Sequence, residues 1–438
     1  MAKKLSSVVG VDIGCRYIKV VEVRQAGGGA AVTAVGMIDT PTGAVDETGL
    51  YSAEEVAQAL KAVFTEAGVS SPNAVVSLQG SSSVLVRVLP VPRMGEEELE
   101  THMQWEVERN NPFAESNPIK DYGVLDSGDP SGDEMDVVMA IASPTAVDMM
   151  IDTLKKAGKT AAGIDAVPLS LSRSYFTNYS DEFPSQTVAV VDIGEKTVSI
   201  NVYRDGKLYF TRVVPGGSET LTQAIASGMG ISSEDALFKQ MNELVIPDDA
   251  VAYDPMGVYT GVVDPTVAVP ATEEPASYNP FADSDTTIAG GEMPEPPVVE
   301  EGDVPSAFAE GGAPEPADPG MTQALDIQPP AAVVPAGGDS AVFGAARSAL
   351  DEWVSEIRRS VQYFQSSSGN IEAILVCGGV AGIAGFEGYL NRALGIRCDR
   401  LDPFRRLSMN VRKGDPQLAT DRPEEFAVAV GNGLYIFY

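Results

Sequence analysis

The sequence predicts an α/β protein built from two like half-domains that face one cleft. Three observations carry this expectation. Val188 to Tyr203, VAVVDIGEKTVSINVY, reads as an apolar strand, an Asp-Ile-Gly turn and a second strand. The same pattern stands 180 residues earlier at Val8 to Val23, VVGVDIGCRYIKVVEV, and puts Asp12 over Asp192 and Gly14 over Gly194. A third turn, Cys377-Gly378-Gly379-Val380, follows an apolar run that starts at Ile374 and precedes a helix. Runs rich in Val suit buried strands, and glycine lets backbone turn sharply and approach a ligand.

The elements follow in order. Residues 8 to 38 alternate as strands, with a turn at Gly27 to Gly29. Ser52 to Gly68 is a helix: Ser52 and Glu55 make a capping box, Val56, Leu60, Val63 and Phe64 form an apolar stripe, and Gly68 ends it. Ala74 to Leu78 and Val84 to Leu89 are strands, after which Pro90 and Pro92 impose extended backbone. Glu96 to Asn110 is a helix stopped by Asn111-Pro112-Phe113. Tyr122 to Leu125 and Met135 to Ala142 read as a hairpin, and Ala146 to Ala157 as a helix ended by Gly158. A short helix after Asp165 reaches Tyr179, and Gly216 to Glu243 is helical in two pieces.

The composition then changes. From Gln240 to Ala346 there is no Lys or Arg, but there are 19 acids and 16 of the chain's 30 prolines. Such a mixture cannot form a packed core, so residues 248 to 338 are expected to be a disordered acidic insertion. It acts as a tether for a basic partner or as a solvating spacer. Folding resumes with Leu350, Trp353, Val354, Ile357, Val361 and Phe364 at helical spacing. Phe386 to Leu394 is a helix, Ile396 to Leu401 a strand, and Phe426 to Leu434 a closing helix.

Length and charge bound the function. The 438 residues allow two to four domains. A formal charge of −32 speaks against nonspecific nucleic-acid binding and against attraction to anionic lipid. The three cysteines show no metal-ligand spacing, which suits a reducing cytosol. A single histidine, His102, excludes multi-histidine metal sites and leaves almost no room for a Ser-His triad. The N-terminal stretch is not expected to be a signal peptide, because Asp12 interrupts it, and no apolar run is long enough to span a membrane.

The repeated turns suggest a chemistry. Most single Asp-x-Gly turns are only turns, but two in matched contexts point to phosphate. Backbone at the turns would hold the β- and γ-phosphates, Thr197 can add a hydroxyl, and Gly378 and Gly379 allow close approach to a helix N-terminus. Asp12 and Asp192 would hold Mg²⁺ through water, since that ion dehydrates reluctantly. Lys19 lies near the cleft or on a solvent-facing strand. Asp165 either faces the cleft or caps the helix from Pro168.

The order of the three turns resembles the actin-like ATPase superfamily. Within it the chain is similar to the PilM family of type IV pilus assembly, relatives of the cell-division protein FtsA. Closer matches are LPVPRMGEEELETHMQWEVERNNPF (Leu89 to Phe113) with Asp121-Tyr122, RSVQYF (Arg359 to Phe364), GIRCDRLDPFRRL (Gly395 to Leu407) and AVAVGNGL (Ala427 to Leu434). The resemblance covers roughly residues 5 to 245 and 345 to 438 and implies an actin-like fold of four subdomains. The first core takes 5–75 and 164–186, an FtsA-like insert 76–163, the second core 187–216 and 371–438, and a small helical subdomain 217–247 and 339–370. It implies ATP and Mg²⁺ as cofactors, with Asp12, Gly14, Cys15, Arg16, Lys19, Asp192, Gly194, Glu195, Lys196, Thr197, Lys239, Gly378, Gly379 and Val380 at the nucleotide. It also implies a partner, the N-terminal cytoplasmic peptide of a PilN-type inner-membrane protein, which docks between the first core and the insert. Val86 and Trp105 are expected as its walls, although Trp105 reads equally well as core. The protein would be cytoplasmic, peripheral to the inner membrane through that partner, and in reach of the pilus motor ATPases.

The chain departs from the superfamily pattern in places. Cys15-Arg16-Tyr17 replaces small residues at the first turn, where Arg16 would neutralise phosphate or block it. Glu195 and Lys196 are bulky at the second turn. Lys239 is where the adenosine-gripping lysine is expected, but Ala236 stands in place of the acid three residues before it, with Asp235 four before. Hydrolysis also needs a group that orients water, for which Asp165 is the candidate, so turnover is expected to be slow or absent. The expected function is an ATP-binding adaptor. The alternatives are an active ATPase or sugar-kinase-like phosphotransferase of the same fold, and a polymerising protein.

Overall fold

Two β-meanders, each opening on a Val-rich strand that ends in Asp-Ile-Gly, organise the structure. The computed structural model describes residues 5–113, 117–125, 132–253 and 341–438. Strand β1 (Ser7–Ile13) pairs antiparallel with β2 (Tyr17–Ala26), and β2 with β3 (Gly29–Asp39). Helix α1 (Ala53–Glu66) crosses to β4 (Asn73–Leu78), which lies parallel to β1. The chain then leaves this sheet for β5 (Val84–Pro92), α2 (Glu96–Asn110), β6 (Ile119–Leu125) and β7 (Glu134–Ala142). It returns through α3 (Pro144–Lys156) to β8 (Thr160–Ala166), parallel to β4, and α4 (Val167–Tyr179) leads into the second half.

The second half repeats the plan. β9 (Thr187–Ile193), β10 (Thr197–Arg204) and β11 (Lys207–Pro215) form the meander. Helices α5 (Ser218–Met229), α6 (Ser233–Asn242) and α7 (Ala341–Ser368) follow. β12 (Ala373–Cys377), α8 (Phe386–Leu394) and β13 (Arg397–Arg400) complete the sheet. Five strands of the first sheet run in the order β3-β2-β1-β4-β8, extended beside β3 by a short strand from the C-terminal segment, and the second sheet runs β11-β10-β9-β12-β13, so the five-strand topology occurs twice. Such sheets need cover on both faces, and each strand that carries Asp-Ile-Gly is almost wholly buried.

Several boundaries differ from the sequence-based expectation. The inserted sheet, β5-β7-β6, is narrower than residues 76–163, because β4 and β8 belong to the first sheet and Leu154 of α3 packs in its core. The C-terminal segment does not stay with the second core. β14 (Ser408–Met409) pairs with β3, and after α9 (Leu418–Asp421) the helix α10 (Ala427–Gly433) packs Ala429 and Val430 on Val21 and Val23. Ser52 sits at the start of α1, but its side chain makes no capping hydrogen bond. Pro90 and Pro92 lie within β5, which pairs only with β7, so their missing N–H groups cost no ladder bond on the free edge. The acidic segment expected over 248–338 lies outside the described residues beyond Tyr253. Up to that point the chain is held, with Arg392 donating to the carbonyls of Pro247 and Ala250 and the Tyr253 amide donating to Asp351.

One buried charge ties the first meander to the loop before β4. Glu22 on β2 is 1% exposed. Its carboxylate accepts from the amides of Ser70 at 2.5 Å and Ser71 at 2.8 Å, and from Thr33 Oγ1 at 2.9 Å, with Arg24 at 2.9 Å. Burial alone would raise this carboxyl, but the donors outweigh it and hold its pKa below the ordinary value. Its contribution to stability is therefore complete above the unfolded-state carboxylate pKa and fades as pH falls towards the lower folded value. Glu22→Gln should cost about 2 kcal/mol in urea unfolding at neutral pH, and the gap to wild type should narrow as pH falls below about 4.5.

Candidate functional site

The two Asp-Ile-Gly turns meet across a cleft and fold identically. Gly14 N donates to Tyr17 O at 3.0 Å, and Gly194 N donates to Thr197 O at 3.0 Å. Each closes a tight turn that sends Asp12 or Asp192, from the end of its strand, towards the same space. The lining combines Asp12, Gly14, Cys15, Arg16 and Lys19 with Asp192, Gly194, Glu195, Lys196 and Thr197, and adds Gly378 and Gly379. Most of the expected nucleotide residues are thus together. Lys239 and Val380 are not among them. Lys239 pairs with Glu243 at 2.7 Å, and Val380 is fully buried in the second core.

Charges organise the floor. Lys19 Nζ donates to Asp12 Oδ2 at 2.7 Å, so Lys19 is a cleft residue and not a solvent-facing one. Burial pulls the Lys19 amine down, but Asp12, Glu425 and Asp192 outweigh it and hold the pKa above its ordinary value. Burial pushes Asp192 up to about 6, opposed by Lys19 and assisted by Asp12. Burial also pushes the Cys15 thiol up to about 12, helped by Glu195, so Cys15 is not a thiolate at neutral pH.

At the mouth, Arg16 Nη1 lies 4.0 Å from Glu195 Oε1 and joins the two turns. The cavity left between them is about 100 Å³. Sites for drug-sized ligands run to roughly 300–1,000 Å³, so the space between the turns is small for a nucleoside triphosphate.

The residues present fit a magnesium–phosphate group. Two opposed carboxylates, a lysine and a glycine turn supply the required chemistry. Gly378 has φ +85°, and a Cβ there would lie 2.7 Å from Asp192 Oδ1, so only glycine lets the backbone close over the aspartate. Among the described residues, no group of three or more His, Cys, Asp or Glu side chains is placed to hold a metal ion.

Asp165 neither lines this cleft nor caps α4. Its Oδ2 is ion-paired with Arg173, and its Oδ1 accepts from the Ala166 amide at 2.8 Å. Trp105 is 52% exposed on α2, beside Arg109 and His102. Val86 packs on the opposite face of the inserted sheet, with residues of α4 and β9, so the two do not wall one groove. A separate cavity of about 300 Å³ lies in the first core beside the two points where the chain crosses to and from the insert, lined in part by Leu50, Tyr51, Leu78, Ser83, Ala146 and Met150.

Cleft residues outside the sequence expectation include Gln79, whose side-chain amide donates to the Ile13 carbonyl, and Glu424 and Glu425. The glutamates enter on the 3₁₀ turn Pro423–Phe426, whose Glu424 carbonyl accepts from the Gly378 amide at 3.1 Å. No local pattern marks them, because their place depends on the return of the C-terminus to the first half.

Comparison with known proteins is consistent across the chain. The family described as type IV pilus assembly protein PilM matches residues 10–250 and 349–437. The solved PilM–PilN type IV pilus biogenesis complex is similar over 100% of both chains, with a TM-score of 0.68 and 20% identity. MreB5 of Spiroplasma citri, solved bound to ADP, covers 99% of this chain and 97% of its own at a TM-score of 0.44 and 10% identity. The cell division protein FtsA of Bacillus subtilis is 29% identical over 103 residues, which is 24% of this chain and 23% of FtsA, so less than a quarter of that relative is spanned. The fold is that of the actin-like ATPases. Among the described residues no helix is long and apolar enough to cross a membrane.

The Gly378 turn gives a test of the geometry. Gly378→Ala should lower stability by about 2 kcal/mol in chemical unfolding, from positive φ and contact with Asp192. Trp105→Ala, at an exposed site, should change it by less than about 0.5 kcal/mol.

Proposed function

The chain belongs to the type IV pilus assembly protein PilM family, and from that premise we propose that it is an ATP-binding adaptor that docks the N-terminal cytoplasmic peptide of a PilN-type inner-membrane protein. The observation that carries the nucleotide half is the convergence of Asp12, Asp192, Lys19 and the Gly378–Gly379 turn on one cleft. Asp12 and Asp192 would hold Mg²⁺ through water. Bound there, the ion would neutralise part of the phosphate charge. Lys19, exchanging Asp12 for phosphate, would supply the buried positive charge, and the Gly14 and Gly194 turns would bring backbone close to the phosphate oxygens.

Hydrolysis is proposed to be slow or absent. A water-orienting side chain is needed for it, and the one expected at Asp165 is committed to Arg173. Nucleotide would then act as a brace between the halves, with turnover incidental.

The partner half rests on the cavity of about 300 Å³ in the first core beside the crossings to the insert. It joins apolar Leu50, Leu78 and Met150 to hydroxyls of Tyr51, Ser83 and Ser143, a lining suited to an extended peptide with apolar anchors. Through that peptide the protein would sit against the inner membrane and in reach of the motor ATPases.

Two substitutions separate the halves of the proposal. Asp192→Ala should weaken Mg-ATP binding at least about tenfold in calorimetry, through loss of a metal-facing charge, and leave peptide affinity unchanged. Ala146→Trp should fill the peptide cavity, lower affinity for a labelled PilN N-terminal peptide by about tenfold or more in fluorescence anisotropy, and leave Mg-ATP binding intact. Peptide affinity untouched by Ala146→Trp would rule out this cavity as the docking site.

A further inference from the structure

The two cavities share a wall. Ile13 and Gln79 line the larger one, and Gln79 lines the cleft together with Gly14, the residue after Ile13. β1 and β4 run parallel and pair from Val9 with Ala74 to Val11 with Val76. Past that ladder the Gln79 side-chain amide donates to the Ile13 carbonyl. One half-buried side chain thus carries the link between the strands up to the first Asp-Ile-Gly turn. The turn is held from two other sides, by Gly14 N donating to Tyr17 O at 3.0 Å and by Thr40 Oγ1 donating to the Gly14 carbonyl at 2.7 Å. Gln79 is the one of these supports that also faces the larger cavity.

The residues after Gln79 are fixed to the loop 46–51. Gly80 has φ +92°, and a Cβ there would lie 2.4 Å from the Thr48 carbonyl oxygen, so only glycine permits the approach. The Ser82 amide donates to the Thr48 carbonyl at 3.1 Å. Thr48, Leu50 and Tyr51 line the larger cavity with Ser82 and Ser83. The same loop reaches the rim of the cleft. Burial and Glu195 push the Cys15 thiol up against the pull of Lys196, and Asp46 and Glu47 add to the rise. Ile13, Gln79 and this loop all stand on the first half, so the wall between the cavities does not depend on the second.

Resting on the reading of the cleft as a nucleotide site and of the larger cavity as the peptide site, we propose that the two ligands bind with positive cooperativity and that Gln79 is the positioning residue that couples them. A peptide seated against Gln79, Ser82 and Ser83 fixes the arrangement in which Gln79 holds the Ile13 carbonyl, and with it the Gly14 turn. A phosphate at that turn fixes the same arrangement from the other side. One arrangement of the wall forms both sites, so each ligand stabilises the site of the other. Linkage makes the two effects equal. The adaptor therefore holds its membrane partner more tightly when loaded with nucleotide.

The test uses the full-length protein, a labelled PilN N-terminal peptide and Mg-ATP. Each ligand is first titrated alone, then in the presence of the other at saturation, by anisotropy for the peptide and calorimetry for the nucleotide. Wild type should bind peptide at least about fivefold tighter with Mg-ATP present, and Mg-ATP tighter with peptide present by the same factor. Gln79→Leu keeps the bulk of the side chain but cannot donate to Ile13. It should bring both ratios to about one, while each ligand alone still binds. Ser82→Ala, in the cavity but not in the cleft, should leave the ratios at their wild-type value. If Gln79→Leu fails to fold by circular dichroism, Gln79→Asn, whose amide is one methylene too short for the Ile13 carbonyl, should give the same loss of coupling. Wild-type ratios of one or below overturn the proposal, and wild-type ratios retained in the Gln79 variant overturn the role given to Gln79. If wild type alone fails to take the peptide or Mg-ATP, the reading of that site falls, and the coupling with it.

Discussion

Everything in the cleft depends on how closely α4 and α10 cross beneath it. A Cβ at Gly431 would strike the carbonyl of Ser170, so the two helices touch backbone to backbone. Asn432, wholly buried at that crossing, donates to the Val11 carbonyl at 2.8 Å and accepts from Ser77 at 2.9 Å and Ser170 at 2.7 Å. A buried amide must have its partners, and these four residues come from β1, β4, α4 and α10. Val11 precedes Asp12, so the position of the first aspartate is fixed by a side chain more than 400 residues away in sequence. A buried hydrogen-bonded network of this kind rigidifies its surroundings, and it sits where the chain passes between the halves.

Against that fixed pivot the cleft is closed by weaker means. Across its mouth Arg16 forms an ion pair with Glu195 at 4.0 Å, between partly exposed side chains, and reaches Met241 Sδ at 3.8 Å. Such pairs contribute about 0–1 kcal/mol. A strong hinge and a weak latch suit a protein that opens for a ligand and then closes on it. Nucleotide would add contacts to both turns at once and shift the balance towards the closed form. The cavity proposed to take the peptide is lined by the same first core, and Gln79 lines both spaces.

Much of the fold was legible because its strongest signals are local. Val-rich strands ending in Asp-Ile-Gly declare both meanders, and the stripe of α1 and the ending of α3 at Gly158 follow from spacing and turn chemistry. The convergence of Asp12, Asp192, Lys19 and the Gly-Gly turn follows from the duplication. What the sequence hid is set by tertiary return. The C-terminal segment crosses back to the first sheet and carries Glu424 and Glu425 into the cleft on a four-residue 3₁₀ turn. Asp165 stands where a water-orienting group was expected, yet Arg173, two helical turns on, captures it. Trp105 gives the pattern of a core residue, but α2 buries Leu99, Met103 and Val107 and leaves the tryptophan outside. Periodicity identifies a helix more readily than the face that its neighbours will cover.

The central claim is that the cleft binds Mg-ATP as a brace and does not consume it. The most direct measurement is calorimetric titration of the full-length protein with Mg-ATP, with phosphate release followed in the same sample. The account predicts saturable binding at one site, with release over hours far below the amount bound. Rapid release would contradict it by requiring a water-orienting group in the cleft that Asp165, held by Arg173, does not supply. Absence of binding would contradict it more deeply, because it would mean that Arg16, Glu195 and the carboxylate floor keep the cleft shut to nucleotide and that the actin-like fold serves this chain through its surfaces alone.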